Sequence, residues 1–156
     1  MSHETFMRDA IRLSVEGIRS GKGGPFGCVI VKGGKVVAQG SNQVTSTCDP
    51  TAHAEVVAIR EACKTLGTFL LTDCVLYTSC EPCPMCLSAI YWARIPTVYY
   101  GNTRQDAAAI GFDDELIYQQ IPLPVGERQV SMTVLLNAEA KGAFSEWSKK
   151  ADKVSY

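Results

Sequence analysis

Between residues 74 and 93 the chain reads CVLYTSCEPCPMCLSAIYWA, a stretch that leaves little choice of local structure. Cys74 to Ser79 has the apolar, aromatic and hydroxyl-bearing composition of a strand. The two prolines that follow end it. Pro84 suits the first turn of a helix, where its missing N–H costs nothing, and Pro84 to Ala93 reads as that helix. Thr97-Val98-Tyr99-Tyr100 is a second strand. A strand, a helix and a strand in succession imply a βαβ unit with a parallel pair, and hence an α/β fold.

The residues before this unit extend the pattern. From Glu4 to Arg19, Phe6, Ala10, Leu13 and Gly17 recur at helical spacing, and Met7, Ile11 and Ile18 widen the apolar stripe. Gly21-Lys22-Gly23-Gly24-Pro25 breaks this helix. Phe26 to Val31 then reads as a buried strand, Gly33-Gly34 as a turn, and Val36 to Gly40 as the antiparallel return. Asp49-Pro50-Thr51 is a helix start with Thr51 as the expected cap, and Val56, Ile59, Cys63 and Leu66 form the expected buried face. Beyond the βαβ unit the sequence predicts a helical region near Ala107, an irregular acidic segment at Gly111–Glu115, a strand at Met132–Leu136 and a helix from Glu139 to Lys149. No repeat or linker divides the 156 residues, a length that suits one domain.

Charge is nearly balanced, with a formal net of −1. That balance gives no basis for binding nucleic acid or an anionic membrane, and it suits a small neutral ligand. The polar N-terminus lacks the pattern of a signal peptide, and no apolar run approaches membrane-spanning length, so the expected location is the cytoplasm. Seven cysteines is an odd number, and a reducing compartment favours thiols or metal ligands over disulfides. Cys28, Cys63 and Cys74 fall in apolar patterns and read as small buried hydrophobes.

Three of the remaining cysteines, Cys80, Cys83 and Cys86, frame the proline turn, and one of the two histidines, His53, lies two residues before Glu55. In mid-helix, residues two apart point to nearly opposite sides, but in a first turn both can converge over the helix end. Cys83 and Cys86, three apart at the next helix start, share a face. A helix N-terminus favours the thiolate, the form that binds metal. One His and two Cys suit zinc, and three protein ligands leave one position for water activated toward hydroxide. Glu55 is then the carboxylate that moves the proton. Two other readings stay open on these residues alone: a Cys-x-x-Cys redox pair, and a closed structural zinc site with Cys80 as fourth ligand.

The pairing of His53-Ala54-Glu55 with Pro82-Cys83-Pro84-Met85-Cys86 resembles the signature of the zinc-dependent cytidine and deoxycytidylate deaminase superfamily. The resemblance implies a three-layer α/β fold, a mixed five-stranded sheet between helices, over nearly the whole chain. It also implies one zinc ion per subunit on His53, Cys83 and Cys86, with Glu55 as proton shuttle. Further segments resemble the bacterial guanine deaminases within that superfamily: Gly23-Gly24-Pro25-Phe26-Gly27, Ser41-Asn42, Asp49 to Glu55, Tyr91-Trp92-Ala93-Arg94, Gly111-Phe112-Asp113-Asp114 and the terminal Tyr156. That likeness implies hydrolysis of guanine to xanthine and ammonia, in a single deaminase domain over residues 1–156. A helix and tail at 137–156 would cover an active site, the partner's within an exchanged homodimer or, in the simpler reading, the chain's own. Phe26 and Trp92 would supply aromatic faces for a purine, Asn42 hydrogen bonds to its edge, Asp114 a second carboxylate, and Tyr156 would reach the partner's pocket. The rivals are a tRNA adenosine deaminase, which calls for a basic surface, a cytosine-type deaminase, and a zinc-stabilised binding module with no activity.

Overall fold

The computed structural model describes residues 2–156. The chain forms two compact units, residues 1–114 and residues 115–156. No helix among the described residues is long and apolar enough to cross a membrane.

The first unit runs α1 (His3–Arg19), β1 (Gly27–Lys32), β2 (Lys35–Ser41), a short α2 (Val44–Thr47), α3 (Ala54–Leu66), β3 (Cys74–Cys80), α4 (Pro84–Trp92), β4 (Thr97–Asn102) and α5 (Arg104–Ala109). Its sheet has the order β2-β1-β3-β4. The first two pairings are antiparallel, and β3 with β4 is parallel, as the βαβ reading requires. The hairpin between β1 and β2 closes Lys32 onto Lys35 with Gly33 and Gly34 between them, both at positive φ. A two-residue hairpin of this hand demands that conformation, and glycine takes it without steric cost.

Alternation along the strands divides the core. Cys28, Ile30, Cys74 and Leu76 face α3 and α4, where they pack with Ala54, Ala58, Ala62 and Ile90. Val29, Val31 and Tyr77 face α1 and its Phe6 and Ala10. The three layers are thus α1, sheet, and the α3–α4 pair. One glycine on each face lets a helix approach the strand backbone: a Cβ on Gly27 would strike the Ala10 carbonyl of α1, and one on Gly40 would strike the Ala54 carbonyl and Ala58 nitrogen of α3.

The sheet has four strands and not the expected five. Residues 132–135 carry an apolar pattern suited to a strand but have no regular structure. A strand exists only through its ladder, and the second unit contains no strand to pair with this segment. The buried stripe of α3 is also turned from expectation. In α3 the line is Ala54, Glu55, Ala58 and Ala62, while Ile59, Cys63 and Leu66 pack at its margin. In α1 the expected Phe6, Ala10 and Gly17 are buried together with Ser14, Leu13 packs beside them, and only the widening residues Ile11 and Ile18 are exposed. Close approach to the sheet puts the small Ala54, Ala58 and Ala62 at the centre of the α3 contact and leaves the larger Ile59 and Leu66 at its edge.

The second unit contains α6 (Glu115–Gln120), a 3-10 turn (Val125–Glu127) and α7 (Asn137–Lys149), none with a buried residue. Arg128 ties its first half together by donating to the carbonyls of Leu123 and Ile121.

Candidate active site

The loop before α3 builds the first half of the site. The Asp49 carboxylate accepts from the backbone N–H of Thr51 at 2.8 Å and from its hydroxyl at 2.7 Å. Thr51 is therefore held in a turn and is not the helix cap. The cap position passes to His53, in extended geometry at φ −68° and ψ 154°, with no capping bond from its ring. The imidazole is left for other partners. α4 begins the same way: Cys83 is its N-cap, again without a capping bond, and Pro84 opens the helix.

These two helix starts meet. His53 Nδ1 lies 3.5 Å from Cys83 Sγ and 3.5 Å from Cys86 Sγ, and the three ligand atoms all fall within 4.8 Å of one another. A tetrahedral zinc with bonds of about 2.3 Å to sulfur and about 2.0–2.1 Å to nitrogen sets N···S separations of about 3.5 Å. The donor set and its spacing therefore fit zinc. The thiol proton is unequally shared, since a hydrogen bond from Cys86 lowers the pKa of Cys83, and the same bond raises that of Cys86. His53 is raised, first by its bond to Cys83.

Glu55 is buried one residue into α3, with only 5% of its surface exposed. Its Oε1 accepts from the Thr78 hydroxyl at 2.8 Å and its Oε2 from Cys86 Sγ at 3.3 Å. Burial raises its pKa above the ordinary carboxylate range, which brings it toward the range useful for proton transfer at neutral pH. Cys80, the last residue of β3, is not among the clustered ligand atoms. Its thiol donates to the Thr103 carbonyl at 3.6 Å, and burial pushes its pKa up to about 11. Geometry, with the sulfur turned to that carbonyl and away from the three clustered ligand atoms, is what sets Cys80 apart from the site.

Beside this cluster Asn42 is nearly fully buried. Its Oδ1 accepts from the backbone N–H of Gly24 at 3.2 Å and of Val44 at 3.1 Å. With its oxygen so occupied, the amide offers a ligand its N–H donors. The neighbouring Gln43 donates to the carbonyl of Ala52, which joins this loop to the residue before His53. Phe26 is partly buried and meets Phe112 edge to face, with centroids 4.9 Å apart at 89°. Asp114 is half-buried; burial raises its pKa, and Arg104 and Cys83 act on it electrostatically in opposite senses. Trp92 ends α4 with 60% of its surface exposed, and Tyr156, 71% exposed, belongs to the second unit.

Residues 1–102 match the family described as the cytidine and deoxycytidylate deaminase zinc-binding region. The chain belongs to this deaminase family. Over all 156 residues, and the whole of the relative, it is 53% identical to guanine deaminase of Bacillus subtilis strain 168. The crystal structure of the Bacillus subtilis guanine deaminase superimposes at a TM-score of 0.97, covering 100% of this chain and 99% of that one. A tRNA-specific adenosine deaminase of Aquifex aeolicus strain VF5 is 41% identical over 150 residues, 96% of each chain. The crystal structure of a mutant protein in complex with 8-azaguanine matches at a TM-score of 0.70 and 33% identity, over 72% of this chain and 65% of that one.

Two residues in contact with the candidate site residues were not singled out from the sequence. Thr78 sits in a strand 23 positions from the carboxylate it touches, and only the strand's alternation indicated that it shares a face with Leu76. Phe112 stood within a matched segment, but nothing in the sequence paired it with Phe26.

Proposed function

We propose that this chain hydrolyses guanine to xanthine and ammonia, with one zinc ion per subunit held by His53, Cys83 and Cys86. The observation that carries the reading is the equal 3.5 Å spacing of His53 Nδ1 from the two sulfurs, with the buried Glu55 carboxylate against one of them. The full-length likeness to a guanine deaminase supports the choice of base.

Zinc, when bound, acidifies water and so supplies the nucleophile at neutral pH. The protein's own groups do the rest. Glu55 accepts the proton that water loses on attack at C2 of guanine and returns it to a ring nitrogen. Asp114 assists protonation of the departing amine; the proton balance closes as guanine and water become xanthine and ammonia. Asn42 donates to an acceptor on the purine edge, and Phe26, braced by Phe112, presents an aromatic face. The near-zero net charge favours a neutral base over the polyanion that a tRNA deaminase holds.

The second unit has a part in the same reading. Residues 137–156 cover an active site of a second copy in a homodimer, with Trp92 and Tyr156 adding aromatic surface around the base. Two features support it. β4 is the edge of the sheet, paired only with β3 among the described residues, and residues 115–156 bury nothing while Leu135 and Phe144 stand about four-fifths exposed. A cover of this kind excludes bulk water from a site that makes hydroxide. A monomer in sedimentation would rule out the exchange. We place the enzyme in a reducing cytoplasm, which suits seven unpaired thiols.

Ammonia release decides the substrate, measured with guanine, adenine, cytosine, cytidine, deoxycytidylate and an adenosine-containing tRNA stem-loop. Guanine is expected to dominate. Preferred turnover of the stem-loop would reverse the choice of substrate, and no release from any would leave a zinc-stabilised binding module.

A further inference from the structure

A glutamate that shuttles a proton has to present one particular oxygen first to water and then to the base. Its terminal torsion is broad and roughly two-fold, so a bare carboxylate does not hold that orientation. In this chain the carboxylate is bonded by its own backbone N–H and by a hydroxyl from the sheet. Thr78 is fully buried on β3, the strand between β1 and β4, with Cys28 and Tyr100 as its neighbours in register. Two ladders hold its backbone, and β-branching restricts its χ1. Its hydroxyl reaches Oε1 of Glu55 at 2.8 Å. The other oxygen, Oε2, lies toward the ligand cluster, 3.3 Å from Cys86 Sγ. A sulfur that ligates metal carries no proton. In the loaded protein the Cys86 donor is therefore lost, and the Thr78 hydroxyl is the side-chain donor that persists.

We infer that Thr78 is a positioning residue for Glu55: its hydroxyl pins Oε1 and so assigns proton transfer to Oε2. This rests on the role given to Glu55 in the proposed function. Thr78 touches neither base nor metal in this account. It acts through the carboxylate alone, and its removal should cost turnover without costing binding.

The test compares Thr78→Val, which keeps the shape and removes the hydroxyl, with Thr78→Ser, which keeps the hydroxyl and removes the methyl. Wild-type turnover of guanine is measured first. Its absence overturns the proposed function, whereas normal wild-type turnover beside an unaffected Thr78→Val overturns only the role of Thr78. For Thr78→Val, kcat should fall about 10- to 100-fold, the scale of a misplaced catalytic group. KM and the dissociation constant of xanthine should stay within about threefold of wild type, as for an interaction made in the transition state. Zinc content should be unchanged. Thr78→Ser should recover most of the lost kcat. In a Glu55→Gln background Thr78→Val should have less than about a twofold further effect, because the shuttle it orients is already gone. If Thr78→Val fails to fold, Thr78→Ala takes its place under the same criteria. Equal losses from the serine and valine variants, or a full further loss in the Glu55→Gln background, would overturn the inference.

Discussion

His53 and Cys83 hold equivalent places in two different helices: each is the residue just before the first turn, and Nδ1 of one lies 3.5 Å from Sγ of the other. A residue at that position ordinarily turns its side chain back to bond the helix's own N–H groups. Neither does so here. Both side chains turn instead to a shared point where two positive helix ends meet, a setting that favours thiolate over thiol.

Metal content should separate the three cysteines of the proline turn. Cys83→Ser should empty the site in metal analysis of the purified protein, since a serine hydroxyl does not replace a thiolate ligand. Cys80→Ser should keep about one zinc per chain, because a hydroxyl can make the same bond to the Thr103 carbonyl. Equal loss of zinc in both variants would mean that the site is closed by a fourth sulfur.

Glu55→Gln should bind zinc normally and lose about 10²–10⁴-fold in kcat, the usual worth of a general acid–base group. The amide still accepts from Thr78 through its oxygen but cannot take up and return a proton at neutral pH. Steady-state kinetics together with metal analysis checks this, and a fully active, zinc-loaded variant would remove Glu55 from the reaction.

Asn42→Asp offers a cleaner test of base recognition than alanine. The aspartate still accepts from Gly24 and Val44, so the loop should stay folded, but it has no amide N–H for the purine. Loss of such a bond to a buried edge should reduce kcat/KM for guanine by about 10- to 100-fold, and burial of the carboxylate should lower the melting temperature at neutral pH. Asn42→Ala should also lower stability, by about 1–3 kcal/mol, because two backbone donors lose their acceptor.

Asp106 supplies a pH dependence of stability. Its pKa is lowered, first by the backbone N–H of Thr103 and then by the Thr103 hydroxyl. Because the folded value lies below the unfolded one, the contribution is complete above the unfolded value of about 3.9. It is lost as pH falls through the folded value. Asp106→Asn should therefore melt below wild type near neutrality, with the gap closing on acidification. Thermal scans from pH 7 to below pH 3 show this, and a constant gap would assign the effect to the cap's geometry alone.

The most legible part of the chain was the part where chemistry restricts residue type. Zinc wants thiolate and imidazole, and Pro84 together with the Asp49 turn announced two helix starts that could bring them together. The hairpin was legible because Gly33-Gly34 admits one kind of turn. Failures arose where a neighbour decides. Thr51 looked like a cap, but Asp49 bonds it first and the helix begins two residues later. Met132–Leu136 has the composition of a strand, and composition does not supply a partner. The line of Phe6, Ala10 and Gly17 in α1 was legible, but Ile11 and Ile18, expected to widen it, fall outside the contact to the sheet. The orientation of the Asn42 amide and the reach of Thr78 to Glu55 are set by backbone groups and strand parity far away in sequence.

Gly40 has no functional group and sits mid-strand, the kind of position that a survey of variants would file as background. Yet any side chain there would press on the Ala54 carbonyl and the Ala58 nitrogen, in the helix whose first turn carries Glu55 and whose cap is His53. Helix and strand cannot part without carrying both residues away from Cys83 and Cys86. In a saturation scan scored by growth on guanine as nitrogen source, Gly40 should tolerate as few replacements as the residues that do the chemistry. A genetic map of this active site would then be wider than its chemical one.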